Sequence, residues 1–152
     1  MIQRIQSVYL LVSLCFTAPL FFASAASLVY ETGELLLFNL SGFYLSEAGT
    51  TVCVSRQYSL AFFGIIICAL NLCIIFLYKS RVLQLRLCVY NILLLTGLTG
   101  VMLFTLYTLP NVQSISFRLP AVFPVISIIL HYLAFRGVRR DELMVQALSR
   151  LR

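Results

Sequence analysis

A single histidine, His131, sits inside an apolar run of this 152-residue chain. An ionisable side chain among apolar neighbours is the first place to look for chemistry. Asn71 and Asn91 lie in two other apolar runs and Ser13 in a further one, all at similar depth from the same end. These four residues define a candidate polar cluster that allows two readings. An imidazole, two amides and a hydroxyl can bond helix to helix, at about 0.6 kcal/mol per bond in a membrane. They can also line a small polar pocket that takes a ligand.

The same inventory excludes several kinds of catalysis. One histidine cannot ligate haem on both faces, nor assemble a zinc site where no apolar run carries an acid. Cys68 and Cys73 are five residues apart, about 140° around a helix, which is not a C-x-x-C pair. Cys53 is the one cysteine in a long loop, so the exchangeable pairs of a disulfide-forming quinone reductase are missing. Cys15, Cys68, Cys73 and Cys88 read as small buried hydrophobes. Coupled transport draws on intramembrane acids, broken helices or repeats, and the sequence offers only Pro19 and Pro124 as kink points. The expectation is a protein that is not an enzyme, with no catalytic residue, no metal and no cofactor.

The elements that carry these residues follow from composition. Hydrophobic residues make up 61% of the chain and charged residues 11%, against about 25% charged in soluble domains. Lipid can solvate that much apolar surface where water cannot. Four apolar runs are predicted as spans over about 7–29, 58–78, 87–109 and 119–135, the last one short unless Leu119 and Pro120 join it. Outer loops then cover 30–57 and 110–118, a cytoplasmic loop 79–86, and a cytoplasmic tail 136–152, all in a single domain. Short links favour antiparallel neighbours, so the expected fold is an all-α, four-transmembrane-helix up-down bundle. Within the first outer loop, apolar Glu34–Tyr44 and β-branched Thr50–Val54 suggest a two-strand hairpin turning near 46–49, or a helix lying on the surface.

Charge sets the orientation. Arg4, Lys79, Arg81, Arg86, Arg136, Arg139, Arg140, Arg150 and Arg152 fall on one side, and only Arg56 and Arg118 on the other. The positive-inside rule places both termini in the cytoplasm. The net charge of +6 therefore reads as orientation and attraction to anionic headgroups, with no nucleic-acid partner expected. Arg4, the stretch Val8–Phe22 and the small residues Ala23–Ala26 also allow a secretory signal cleaved near residue 25. The length of the run, continuing through Val29, suits a retained helix better.

The tail is amphipathic. Leu143, Met144, Ala147, Leu148 and Leu151 share one helical face, with Asp141 and Glu142 near its start and Arg150 and Arg152 at its end. Such a helix can lie along the inner headgroups or dock on a partner.

Three segments carry a family resemblance. They are the opening Met1–Leu11, the linker Leu83-Gln84-Leu85-Arg86-Leu87-Cys88 with Asn91, and the close Leu133–Leu143 followed by Arg150-Leu151-Arg152. Together they resemble a family of small four-span inner-membrane proteins of Bacteroidetes-type bacteria, described as a domain of unknown function. The chain has Ser149 where that family carries an acid before the final Arg-Leu-Arg, and its linker is less basic. The resemblance implies a bacterial inner-membrane location and no reaction.

The expected function is that of a non-enzymatic membrane subunit or scaffold. It would contact a membrane or cytoplasmic protein partner, or anionic lipid of the bilayer, through Lys79, Arg81, Arg86, Arg136, Arg139, Arg140, Arg150 and Arg152. Homo-oligomerisation is open. The alternative is a small-molecule or lipid-binding protein using a pocket at Ser13, Asn71, Asn91 and His131.

Overall fold

The structure is a computed structural model that describes residues 3–30, 34–47, 50–77, 80–110 and 112–150. Four helices alternate in direction: α1 (Gln3–Thr17), α2 (Tyr58–Phe76), α3 (Arg81–Thr108) and α4 (Phe123–Arg150). A 3-10 turn at Ala18–Phe21 extends α1, and another at Leu119–Val122 leads into α4. Each helix packs on its sequence neighbour or closes the ring, α1 against α4.

Buried positions recur at alternating steps of three and four. They are Leu10, Ser13, Thr17 and Leu20 along α1 and its extension, and Leu60, Gly64, Ile67, Asn71 and Ile74 on α2. On α3 they are Gln84, Cys88, Asn91, Leu95, Leu98 and Met102, followed by Leu106; on α4, Pro124, Ser127, His131, Ala134 and Val138. That spacing keeps one seam of each helix facing the bundle axis, as in knobs-into-holes packing. The remaining faces expose large apolar residues such as Phe62, Ile65, Leu93, Phe104, Val125 and Ile129, as lipid-facing surfaces do.

The all-α, four-span expectation is wrong on two counts. First, the segments joining the helices at one end form a five-strand antiparallel sheet in the order β4-β3-β2-β1-β5. Its strands are β1 (Ala26–Tyr30), β2 (Leu35–Asn39), β3 (Gly42–Glu47), β4 (Thr50–Arg56) and β5 (Val112–Phe117). Second, among the described residues three helices are long and apolar enough to cross a membrane: Tyr58–Phe76, Val82–Thr108 and Leu119–Met144. The first apolar helix, Ser7–Phe21, holds 15 residues, about 22 Å of rise against a core of about 30 Å.

The physical reason lies in β1. It is flanked by β2 and β5, and Ala26 and Leu28 are fully buried. A strand satisfied on both edges and packed on a core is apolar in sequence, so it extends the apolar run of α1 without a break in composition. The break is conformational, at Pro19 and the turn through Phe22 and Ala23, whose amides both donate to the Pro19 carbonyl. The last helix errs the other way. Arg136 is exposed while Ala134 and Val138 stay buried on the seam, so α4 runs straight through the expected boundary. The basic tail thus continues α4 and is not a separate surface helix. Leu143 and Met144 are exposed; the side chains of Ala147, Leu148 and Leu151 lie outside the described residues.

The expected single hairpin is likewise part of a larger arrangement. Glu34–Tyr44 folds into two strands because Asn39 stops the first. Its Oδ1 accepts from the backbone N–H of Ser41 and of Gly42, each at 3.0 Å, which closes a side-chain turn. Gly42 follows at φ 152°. A Cβ there would run into the carbonyl oxygen of Ser55 on β4. Gly42→Ala should therefore cost about 2 kcal/mol, read as a lowered unfolding midpoint in detergent. The segment expected as the second outer loop, 110–118, supplies β5, with Leu28 opposite Ile115 and Ala26 opposite Phe117.

The sheet is seated on the bundle. Ala26, Leu28, Leu36, Phe38 and Phe43 are buried on its inner face, with the Phe38 and Phe43 rings 4.9 Å apart. The Leu40 amide donates to the Leu20 carbonyl at 3.1 Å and the Ser41 hydroxyl to the Phe21 carbonyl at 3.1 Å. A Cβ on Gly64 would collide with the Leu40 side chain and the Phe21 ring. The missing side chain at Gly64 thus makes room for the sheet and its lead-in. Thr96, Gly97 and Gly100 on α3 make no comparable close approach. All three are exposed; a Cβ on Gly100 would meet nothing within 4 Å, and one on Gly97 only the Phe63 ring.

Candidate functional site

The bundle seam is apolar above and below one level. Leu10, Ile74, Cys88 and Ala134 form one buried cluster, and a second, larger one reaches from Ile67 and Leu95 to the sheet. Between them lie Ser13, Asn71, Asn91 and His131, one from each helix and each with no exposed surface. All four candidate residues are brought together. Each occupies a seam position, so the spacing that packs the bundle also converges its polar groups.

His131 is the hub. Its Nδ1 lies 2.9 Å from the Ser127 carbonyl oxygen and 3.0 Å from Ser13 Oγ. A carbonyl oxygen can only accept, so Nδ1 carries a hydrogen. In the neutral ring Nε2 is then an acceptor, and the Asn91 amide nitrogen donates to it at 2.8 Å. Asn71 Nδ2 donates to Ser13 Oγ at 3.4 Å. Backbone bonds brace the layer: Ser127 Oγ donates to the Ser13 carbonyl at 3.4 Å, and Thr17 Oγ1 donates to the same carbonyl at 3.2 Å. Ser127 and Thr17, both buried, were missed by the sequence reading. Hydroxyls pointed at a backbone carbonyl leave no mark in composition, although their spacing of four residues from His131 and Ser13 was available.

The amide oxygens of Asn71 and Asn91 are buried and have no hydrogen-bond partner. Among the described residues, no group of three or more histidine, cysteine or acidic side chains is placed to hold a metal. All five cysteines are free thiols.

Two described cavities lie away from this layer. One, of about 290 Å³, sits between α3, β5 and α4 and is lined by Thr99, Met102, Leu103, Phe117, Ala121, Val122 and Val125. The other, of about 400 Å³, lies by the β2–β3 turn and is lined by Phe21, Phe22, Ser24, Leu37, Asn39, Ser41 and Tyr44.

The basic residues gather at the end opposite the sheet. Arg86, near the start of α3, and Arg136, Arg139 and Arg140, late in α4, are exposed there. Arg81 opens α3 and Arg150 closes α4 at the same end. Lys79 and Arg152 lie outside the described residues. Arg56 and Arg118 flank the sheet, the latter donating to Ser24 Oγ at 3.1 Å.

A comparison with curated proteins found no match. A family model, described as Domain of unknown function (DUF4293), matches residues 2–151, and the chain belongs to that family.

Proposed function

We propose that this protein is a non-enzymatic, multi-pass subunit or scaffold of a bacterial inner membrane. In this reading its sheet lies outside and its basic end faces the cytoplasm, where it contacts a protein partner or anionic lipid. The observation that carries the reading is the clustering of Arg86, Arg136, Arg139 and Arg140 at the end opposite the sheet. Four guanidinium groups on adjoining helices favour anionic headgroups by about 1 kcal/mol each near the surface. The internal polar layer supports the same view, since its imidazole is already engaged by Ser13, Ser127 and Asn91.

The test combines topology with binding. A reporter fused after Arg152 should read cytoplasmic, and one placed between Glu31 and Arg56 should read external. Replacing Arg136, Arg139 and Arg140 together by Gln should reduce co-purifying protein or anionic lipid about tenfold or more, in salt-sensitive fashion. An exported carboxyl-terminal reporter refutes the orientation. Undiminished co-purification by the triple variant refutes the contact surface.

A further inference from the structure

The cavity by the β2–β3 turn has a chemical character unlike the rest of the surface. Phe21, Phe22 and Leu37 supply apolar walls, while Ser24, Asn39, Ser41 and Tyr44 bring polar groups to the same 400 Å³ space. Leu37 and Tyr44 are cross-strand partners, so they share the sheet face that points away from the bundle. Asn39 spends its carbonyl oxygen on the turn, which leaves its amide hydrogens as the only part available to a ligand. The Ser24 hydroxyl oxygen accepts from Arg118 Nη1, so its own hydrogen can still be donated. The polar side is therefore rich in donors, with an exposed guanidinium directly behind Ser24.

Position narrows the ligand further. Phe21, which lines the cavity, ends the apolar helix Ser7–Phe21, and its ring tip reaches Gly64 in the second turn of α2. The cavity thus lies at the sheet-side end of the apolar helix Ser7–Phe21. Phe22, on its rim, is 89% exposed. A phenyl ring exposed at the end of an apolar helix suits contact with acyl chains close to their headgroups. Donors and a cation above an apolar wall suit an amphiphile with an anionic, acceptor-rich head.

We propose that this cavity binds the phosphate of a membrane phospholipid on the sheet side. Ser24, Asn39, Tyr44 and Arg118 receive the phosphate oxygens, and Phe21, Phe22 and Leu37 hold the glycerol and the first acyl carbons. This site is at the opposite end of the bundle from the arginines of the proposed inner contact, and it stands independently of them.

The full chain, purified in a neutral detergent, is titrated with short-chain phosphatidylglycerol. Native mass spectrometry counts bound lipid, and circular dichroism confirms the fold. The triple variant lacking Arg136, Arg139 and Arg140 serves as background, so that the other end does not contribute. On that background, Arg118→Gln should weaken the tightest lipid site about tenfold, the loss of one charge-assisted contact. Phe22→Ser, which leaves every charge in place, should weaken it by several-fold. Diacylglycerol, with the same chains and no phosphate, should not compete, and inorganic phosphate should compete only at much higher concentration. Equal lipid retention by Arg118→Gln and its background overturns the proposal, as does competition by diacylglycerol. Inorganic phosphate binding as tightly as the lipid overturns the lipid assignment in favour of a soluble anion.

Discussion

Replacing His131 by Ala should lower the stability of the bundle by about 3 kcal/mol, the loss expected when a buried ring is removed and its partners are left unpaired. The ring binds Ser13, Asn91 and the Ser127 carbonyl at 2.8–3.0 Å, so its loss strands a hydroxyl and an amide in an apolar interior. It also opens a void between two apolar layers. Asn71→Leu provides the contrast. The Asn71 oxygen has no partner, and its nitrogen makes one long bond of 3.4 Å. Removing both ends and restoring apolar volume should change stability by less than about 1 kcal/mol. Unfolding in mixed micelles, followed by circular dichroism, ranks the two variants. Equal losses from both would mean that the layer is not organised around the imidazole.

Gly64→Val should have an effect of similar size, about 3 kcal/mol, by a different route. Even one methyl group at Gly64 meets the Leu40 side chain and the Phe21 ring. Both are tips of side chains that can shift, so Gly64→Ala should be the milder change. A branched side chain must displace Leu40, and with it the backbone bond from Leu40 to Leu20 at 3.1 Å. The sheet would then lift from the bundle while the helices remain packed. Limited proteolysis should show earlier cleavage in the β1–β4 segment, with the α2–α3 hairpin surviving. Loss of helical packing at the same denaturant concentration would instead show that bundle and sheet unfold as one unit.

The sequence carried the polar layer well and the connecting segments poorly, for one underlying reason. Ser13, Asn71, Asn91 and His131 are polar residues in apolar runs, and the cost of leaving such groups unpaired in hydrocarbon forces them together whatever else the chain does. That argument needs only approximate depth. Locating β1 needed more. Ala26–Tyr30 is as apolar as a helix end, and its strand state depends on Leu35–Asn39 and Val112–Phe117 arriving on its two edges. Such long-range pairing has no local signature. The length of α4 was hidden for a related reason. Arg136, Arg139 and Arg140 look like the end of a span, yet they occupy the face opposite Ala134 and Val138, so the seam continues beneath them.

The placement of β5 has a consequence for biogenesis. β1 is made early and can pair at once with β2, but its other edge is filled only by Val112–Phe117, about ninety residues later. Until β5 has been synthesised, that edge of β1 stays open, with unpaired amides and carbonyls beside the apolar Ala26 and Leu28. The partial chain is then a template for the wrong strand, from its own sequence or from a neighbour on another ribosome. Only when β5 arrives do the two connections at this end close into one sheet. The molecule therefore passes its most aggregation-prone moment just before synthesis of α4, and a truncation after α3 releases the chain at that moment.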